Sequence, residues 1–206
     1  MVQNEVTLAF SGASGAIYGW KLLEKLVAAK RKVSIVMSPA GAMVFKDEVD
    51  KDLPGSTIRM TEYIVKKLDV ASEFIKVYGK DDWYSPLASG SGAPSQMVVC
   101  PCSAGCLSAI ALGASNNLLE RAADVVLKER GQLILLLREM PLSSIHLQHM
   151  LSLSQMGTVI MPASPGFYLN PKKIEDLVDF VVARILDQLH ITHDLTPKWG
   201  VELSKV

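Results

Sequence analysis

The segment Ser11-Gly-Ala-Ser-Gly-Ala-Ile-Tyr-Gly19 stands where a short apolar run gives way to a helical pattern. Glycines let a backbone approach a ligand, and free N–H groups at a helix start attract an anion. The spacing Gly12, Gly15, Gly19 is not G-x-G-x-x-G, and the second apolar run ends in Ser38, with no Asp or Glu to hold a ribose. A dinucleotide is therefore disfavoured and a mononucleotide such as FMN preferred. A tight turn without a ligand is the plain alternative. Arg138-Glu139 follows the apolar run QLILLL. Arg suits bidentate phosphate binding, and a partly desolvated Glu can be tuned for proton transfer. The plain reading of that pair is a surface ion pair. Arg121, Asp124 and Lys128 share one helix face at i, i+3 and i+7. They read either as a solvated ion-pair ladder or as a cationic wall for a phosphate.

Other chemistries fit poorly. Cys100, Cys102 and Cys106 lack a fourth ligand at zinc-site spacing, and His146 and His149 have no HExxH around them. No metal is expected, and small buried thiols are the better reading of the cysteines. Ser14 sits in G-A-S-G, not in the G-x-S-x-G elbow of a hydrolase. Trp83 and Trp199 fall in irregular regions, as caps on the core or as ring faces lining a pocket.

The elements that must position these residues follow from periodicity. Val6–Phe10, Lys32–Met37, Met97–Pro101, Gln132–Leu137 and Thr158–Pro162 read as strands. Helices are expected at Ile17–Ala29, Asn117–Arg130 and Leu142–Gln155, with weaker signals at Ala40–Glu48 and Thr61–Leu68. The last helix has Asn170 as N-cap, Pro171 in its first position, and a 3.6-residue apolar repeat from Ile174 to Leu189. Ala88–Ser95 reads as loop. This βαβα order predicts one α/β domain over residues 1–206: a mostly parallel sheet, helices on both faces, and an extended tail over 192–206. Ligands of such sheets bind beyond the carboxyl ends of the strands. There the sequence places Ser11–Ala16, Ser38, Ser103–Cys106, Arg138-Glu139 and Pro165–Tyr168, which suits a phosphate-bearing ligand.

The 206 residues are 49% hydrophobic and 20% charged, enough for one domain burying roughly 70% of its unfolded surface. Lys+Arg and Asp+Glu both count 21, which argues against a nucleic-acid binder. No apolar run reaches the roughly 18 residues of a membrane span. The N-terminus lacks the pattern of a signal peptide, and three clustered cysteines read as reduced thiols, so a cytoplasmic protein is expected.

Six segments in order resemble the UbiX family of flavin prenyltransferases: Ser11–Gly19, Ala88-Ser-Gly-Ser91, Cys100-Pro-Cys-Ser103, Arg121–Arg130, Arg138-Glu-Met-Pro141 and Pro165-Gly-Phe-Tyr168. The resemblance implies a Rossmann-like, flavodoxin-related flavoprotein that assembles as a homododecamer. It implies the joining of dimethylallyl monophosphate to reduced FMN, at N5 and then C6. The product is the cofactor of a UbiD-type decarboxylase, in some bacteria within ubiquinone biosynthesis. By this resemblance Gly12, Ala13, Ser14, Ser38, Ser103, Ala104, Gly105, Cys106 and Arg138 bind FMN. Tyr168 and Arg184 hold the dimethylallyl phosphate, with Lys128 and Arg121 adding charge and Trp83 and Trp199 lining the prenyl site. Ser14, Glu48, Glu139 and Lys128 match catalytic positions. Met140 and Gly166 depart from residues common in the family, without removing a functional group.

Cations and donors around a leaving phosphate replace a metal in such a reaction, and an aromatic face steadies an allyl cation. Arg184 lies mid-helix, out of reach of one chain's strand edge, which points to sites shared between subunits. Two other readings stand beside this one. One is a direct flavin-dependent decarboxylase acting on a 3-polyprenyl-4-hydroxybenzoate. The other is a non-catalytic FMN carrier.

Overall fold

Alternating β-branched and amphipathic segments fold into six strands and seven helices in a computed structural model that describes residues 2–197. In chain order these are β1 (Val2–Phe10), α1 (Ala16–Ala28), β2 (Lys32–Met37), α2 (Pro39–Glu48), α3 (Thr57–Leu68), β3 (Ile75–Tyr78), β4 (Pro94–Cys102), α4 (Ala104–Ala111), α5 (Leu118–Lys128), β5 (Gln132–Leu137), α6 (Ser144–Gln155), β6 (Val159–Pro162) and α7 (Ile174–Gln188). The sheet order is β3-β2-β1-β4-β5-β6, and every pairing is parallel. This is the expected α/β, Rossmann-like fold.

The period-2 pleat sorts the strand side chains into two apolar layers. On one face Ile134 and Leu136 join Leu8, Phe10 and Cys100 beneath α1, α2, α3 and α7. On the other, Leu133, Leu135 and Leu137 join Ala9, Val99 and Cys102 beneath α4, α5 and α6. Strand order reverses between β1 and β4, so the connections leaving their carboxyl ends run to opposite faces of the sheet and leave a crevice. Among the described residues no helix is long and apolar enough to cross a membrane.

Several local expectations are corrected. Asn170 is not the last helix's N-cap: it sits at φ +55°, and α7 begins at Ile174 after Lys173. The reason is Asp176, whose carboxylate accepts the N–H groups of Lys172 and Lys173 at 2.8 and 3.2 Å and so takes over the cap. Ala88–Ser95 is not all loop, because β4 starts at Pro94, a residue a strand tolerates at its first position. Two elements were unforeseen. β3 is four residues long, too short for a period, and is a strand because it pairs with Val33–Val36 of β2. α4 carries Gly105 in its first turn, which weakens the local helix signal, yet Ser103 caps it. Residues 192–197 carry no helix or strand, and the rest of the expected tail, 198–206, lies outside the described residues.

Candidate functional site

The crevice at the switch point is built on Ser11. Its hydroxyl donates to the Pro101 carbonyl at 2.9 Å and accepts the Ser103 N–H at 2.7 Å, tying the ends of β1 and β4 together. The Ser38 N–H donates to the Phe10 carbonyl at 2.9 Å, bringing β2 into the same knot. β2 and β4 each open into a helix through one capping residue, and β1 does so through the Ser11–Gly15 turn. Ser38 accepts the Gly41 N–H and caps α2, and Ser103 accepts the Cys106 N–H and caps α4. Gly15, at φ +105°, starts α1 in a conformation that suits only glycine without strain. The close packing also depends on glycine. A Cβ on Gly12 would lie 2.6 Å from that of Ala40, and one on Gly41 would overlap the Phe10 carbonyl oxygen.

The result is a cavity of about 310 Å³ lined by Ser11, Gly12, Ser38, Ala40, Ser103, Gly105, Cys106 and the start of α5. The N-terminal ends of α2, α4 and α5 border it, so their positive ends suit an anion. Nothing lies within 4 Å of a Cβ built on Gly105, so the wall there is open. Asn117, the N-cap of α5, also lines the cavity and was missed as a site residue. An Asn before a helical run is a readable cap signal, but nothing in the sequence says which end of the sheet that cap reaches.

The remaining residues fall into three groups. Near the crevice, Arg138 follows β5, and its N–H donates to the Cys102 carbonyl at 3.0 Å. Its Nε is buried with no hydrogen-bond partner among the described residues. A buried unsatisfied donor in a native protein calls for a ligand or water. Glu139 is half-buried, with its carboxylate on the Met140 N–H at 3.1 Å. Ala13 is buried, Ser14 exposed and Ala104 half-buried. Glu48, at the end of α2, caps α1 from across the fold: Oε2 accepts the Gly15 and Ala16 N–H groups at 2.8 and 2.9 Å. The role the structure gives this carboxylate is to hold the Ser11–Gly15 turn.

A second group lies along the β6 edge. Tyr168 is 60% exposed and meets Phe180 edge-to-face at 5.6 Å. Arg184 lines a separate cavity of about 250 Å³ between β6 and α7, and it pairs with Asp187 at 2.5 Å. The third group is on α5. Arg121 pairs with Asp124 at 2.7 Å and donates from Nε to the Ala88 carbonyl at 3.1 Å, pinning the Ala88–Ser91 segment. Within one chain Arg121 and Asp124 pair on this face, and Lys128 does not continue the ladder, because it pairs with Glu129 instead. Lys128, at the far end of α5, pairs with Glu129 and opens on a cavity of about 550 Å³ with Leu112 and Met156. A single chain does not bring Lys128, Arg121 or Arg184 to the crevice. Trp83 is half-exposed in the loop after β3, and Trp199 lies outside the described residues. His146 caps α6, and His149 bonds Ser108 at 3.0 Å across α4 and α6.

Comparison with known proteins decides the lineage. Residues 1–186 match the Flavoprotein family. The chain is 54% identical to flavin prenyltransferase UbiX of Pseudomonas aeruginosa over 96% of its own length and 94% of that protein's. The chain belongs to the UbiX family of flavin prenyltransferases. Two solved structures of UbiX-like proteins agree with the fold of this family member. AnUbiX (PadA1), in complex with FMN and dimethylallyl pyrophosphate, is 35% identical with a TM-score of 0.84, covering 97% of this chain and 98% of that one. A dodecameric FMN-dependent UbiX-like decarboxylase from Escherichia coli O157:H7 is 35% identical with a TM-score of 0.81, covering 95% and 99%. The family's crevice, as this chain builds it, fits a flavin mononucleotide. It offers helix N-termini and hydroxyls for a phosphate, an open glycine wall for close approach, and an unsatisfied Arg138 donor beside them.

Proposed function

We propose that this protein is a flavin prenyltransferase, joining a dimethylallyl group from its phosphate ester to FMN. The observation that carries this reading is the crevice between β1 and β4, with its open Gly105 wall, in a chain 54% identical to a flavin prenyltransferase. Reduced FMN supplies the nucleophilic N5 and C6 that take up the prenyl group. The chain's residues bind, orient and move protons. Gly12, Ala13, Ser14, Ser38 and Ser103–Cys106 hold the flavin against the backbone, and Arg138 satisfies its buried Nε on it. Glu48 keeps the Ser11–Gly15 turn in place. Glu139 assists proton removal at C6, with the departed phosphate as the principal base. Tyr168, Arg184, Lys128 and Arg121 neutralise the phosphate as it leaves, and Trp83 and Trp199 cover the prenyl chain. No metal takes part.

Lys128, Arg184 and the crevice belong to three separate cavities in one chain. We assign their meeting to neighbouring copies in a homo-oligomer, as in the dodecameric neighbour. The exposed apolar side chains Ile145, Leu147 and Leu151 on α6, with Met140 in the loop before it, support such contacts. The prenylated flavin passes to a UbiD-type decarboxylase, with ubiquinone biosynthesis as the candidate pathway. Three unpaired cysteines agree with a cytoplasmic setting.

The test is anaerobic. The protein is mixed with reduced FMN and dimethylallyl monophosphate, then with the pyrophosphate, and the released flavin is weighed. A gain of one C5H8 unit is expected. Unchanged flavin with both donors, FMN remaining bound, would overturn the assignment. It would favour the decarboxylase activity named for the E. coli neighbour, or a carrier role.

A further inference from the structure

The end of α7 turns the chain back against its own last residues. Leu189 closes the helix, and His190 takes a left-handed conformation at φ +57°. The His190 N–H donates to the Asp187 carbonyl at 3.1 Å, and the Ile191 N–H to the Leu186 carbonyl at 3.0 Å. These two bonds are the Schellman ending of a helix. Ile191 and Leu195 then pack against the α1 layer, and Asp194 pairs with Lys25 of α1 at 3.4 Å. The returning segment is fixed by these contacts, and it delivers His193 to Asp187.

The Asp187 carboxylate is held from two sides. His193 Nδ1 accepts the Leu195 N–H at 3.4 Å, which leaves the ring proton on Nε2, and Nε2 donates to Asp187 Oδ1 at 3.1 Å. Asp187 Oδ2 accepts from Arg184 Nη1 at 2.5 Å. The His193 side chain is 10% exposed, against 56% for Arg184. An exposed Arg–Asp pair by itself holds little fixed geometry. Here the carboxylate is tethered to a nearly buried ring, so the guanidinium is anchored to the body of the fold. Asp187 takes only Nη1. Nε and Nη2 have no partner among the described residues, and they form the guanidinium edge that can bind two phosphate oxygens at once. Arg184 lines the cavity between β6 and α7.

We propose that His193 and Asp187 are positioning residues for the prenyl donor: together they hold Arg184 so that its Nε–Nη2 edge meets the phosphate of the dimethylallyl ester. The proposal rests on the prenyl-transfer reading. An untethered arginine gives up many rotamers when it grips a phosphate, and one already held gives up fewer, so the ester binds more tightly. Asp187 also sets a negative charge near the phosphate, which opposes binding. Solvent and salt screen that repulsion at an exposed pair, so orientation outweighs it.

The experiment loads the whole protein with oxidised FMN, which blocks turnover, and measures the Kd of dimethylallyl monophosphate by calorimetry. Asp187→Ala and His193→Ala should each weaken it about three- to tenfold, with FMN affinity unchanged by fluorescence quenching. His193→Gln should restore most of the loss, because its amide N–H can donate where Nε2 did. In an Arg184→Ala background Asp187→Ala should cost nothing further, as required of a residue that acts through Arg184. Should Asp187→Ala lose FMN, Asp187→Asn, of equal size, decides in its place. Tighter or unchanged donor binding in the Asp187 variants would overturn the proposal, as would an equal loss in the Arg184→Ala background. A parent protein that binds FMN but no dimethylallyl monophosphate would overturn the prenyl-transfer reading, and the positioning role with it; parent binding with unaffected variants would overturn the positioning role alone.

Discussion

Gly105→Ala separates a binding surface from a structural one. Gly105 is the second residue of α4, exposed, with no positive φ and nothing within 4 Å of a built Cβ. A glycine in a helix costs about 0.5–1 kcal/mol relative to alanine. The variant should gain a comparable amount, or about 1–4 °C in Tm for a chain of this size. The same methyl group enters the wall of the FMN crevice. A tightly packed ligand would meet it at a cost of about 1–3 kcal/mol, the range for inserting a methyl into a packed site. That is about a 5- to 150-fold weaker Kd. Differential scanning fluorimetry and flavin-fluorescence titration on the same preparation measure both quantities. Higher Tm with weaker FMN binding is expected, a combination a purely structural glycine cannot give. Higher Tm with unchanged FMN affinity would refute close flavin approach to α4. Lower Tm would refute the open wall itself.

The contrasting variant is Gly41→Ala, whose Cβ would overlap the Phe10 carbonyl oxygen. Backbone must move there, so about 3 kcal/mol and roughly 6–12 °C of Tm should be lost, read by thermal melts. Glu139→Gln should retain FMN, seen by quenching, while turnover disappears; loss of FMN as well would mark a structural carboxylate. Lys128→Ala and Arg184→Ala should each bind FMN yet fail to turn over, and mixed assemblies of the two should recover activity if the sites are shared between copies. No recovery in verified mixed assemblies would place both residues in one subunit's site. The Asp50 carboxyl accepts from Lys67 Nζ and the Tyr63 hydroxyl, and these bonds hold its pKa down at about 2. A pKa depressed by folding stabilises the native state above the ordinary value near 3.8, and that contribution is lost as pH falls through about 2. Asp50→Asn should therefore flatten the acid limb of stability between those two values in urea melts; an unchanged slope would refute the pairing.

Much of this molecule was legible as text. Gln132–Leu137 announced a strand covered on both faces because all but its first residue is apolar, and the structure buries Leu133–Leu137 between two helical layers. The turn after β1, Ser38 and Ser103 were legible because caps and glycines act within a few residues, through local backbone geometry. Family motifs then added the flavin and its prenyl donor. What the text could not carry is distance across the chain. Glu48 caps a helix 32 residues before it, and Asp176 moved the start of α7 by taking two N–H groups that Asn170 was expected to organise. β3 exists because β2 offers it a ladder, not because four residues have a period. The separation of Lys128 and Arg184 from the crevice depends on where two distant helices lie in space. Local conformational preferences write themselves into short stretches of sequence. Long-range hydrogen bonds and the sharing of one site among cavities arise only when the sheet orders its strands, because the partners are brought together by packing and not by their spacing along the chain.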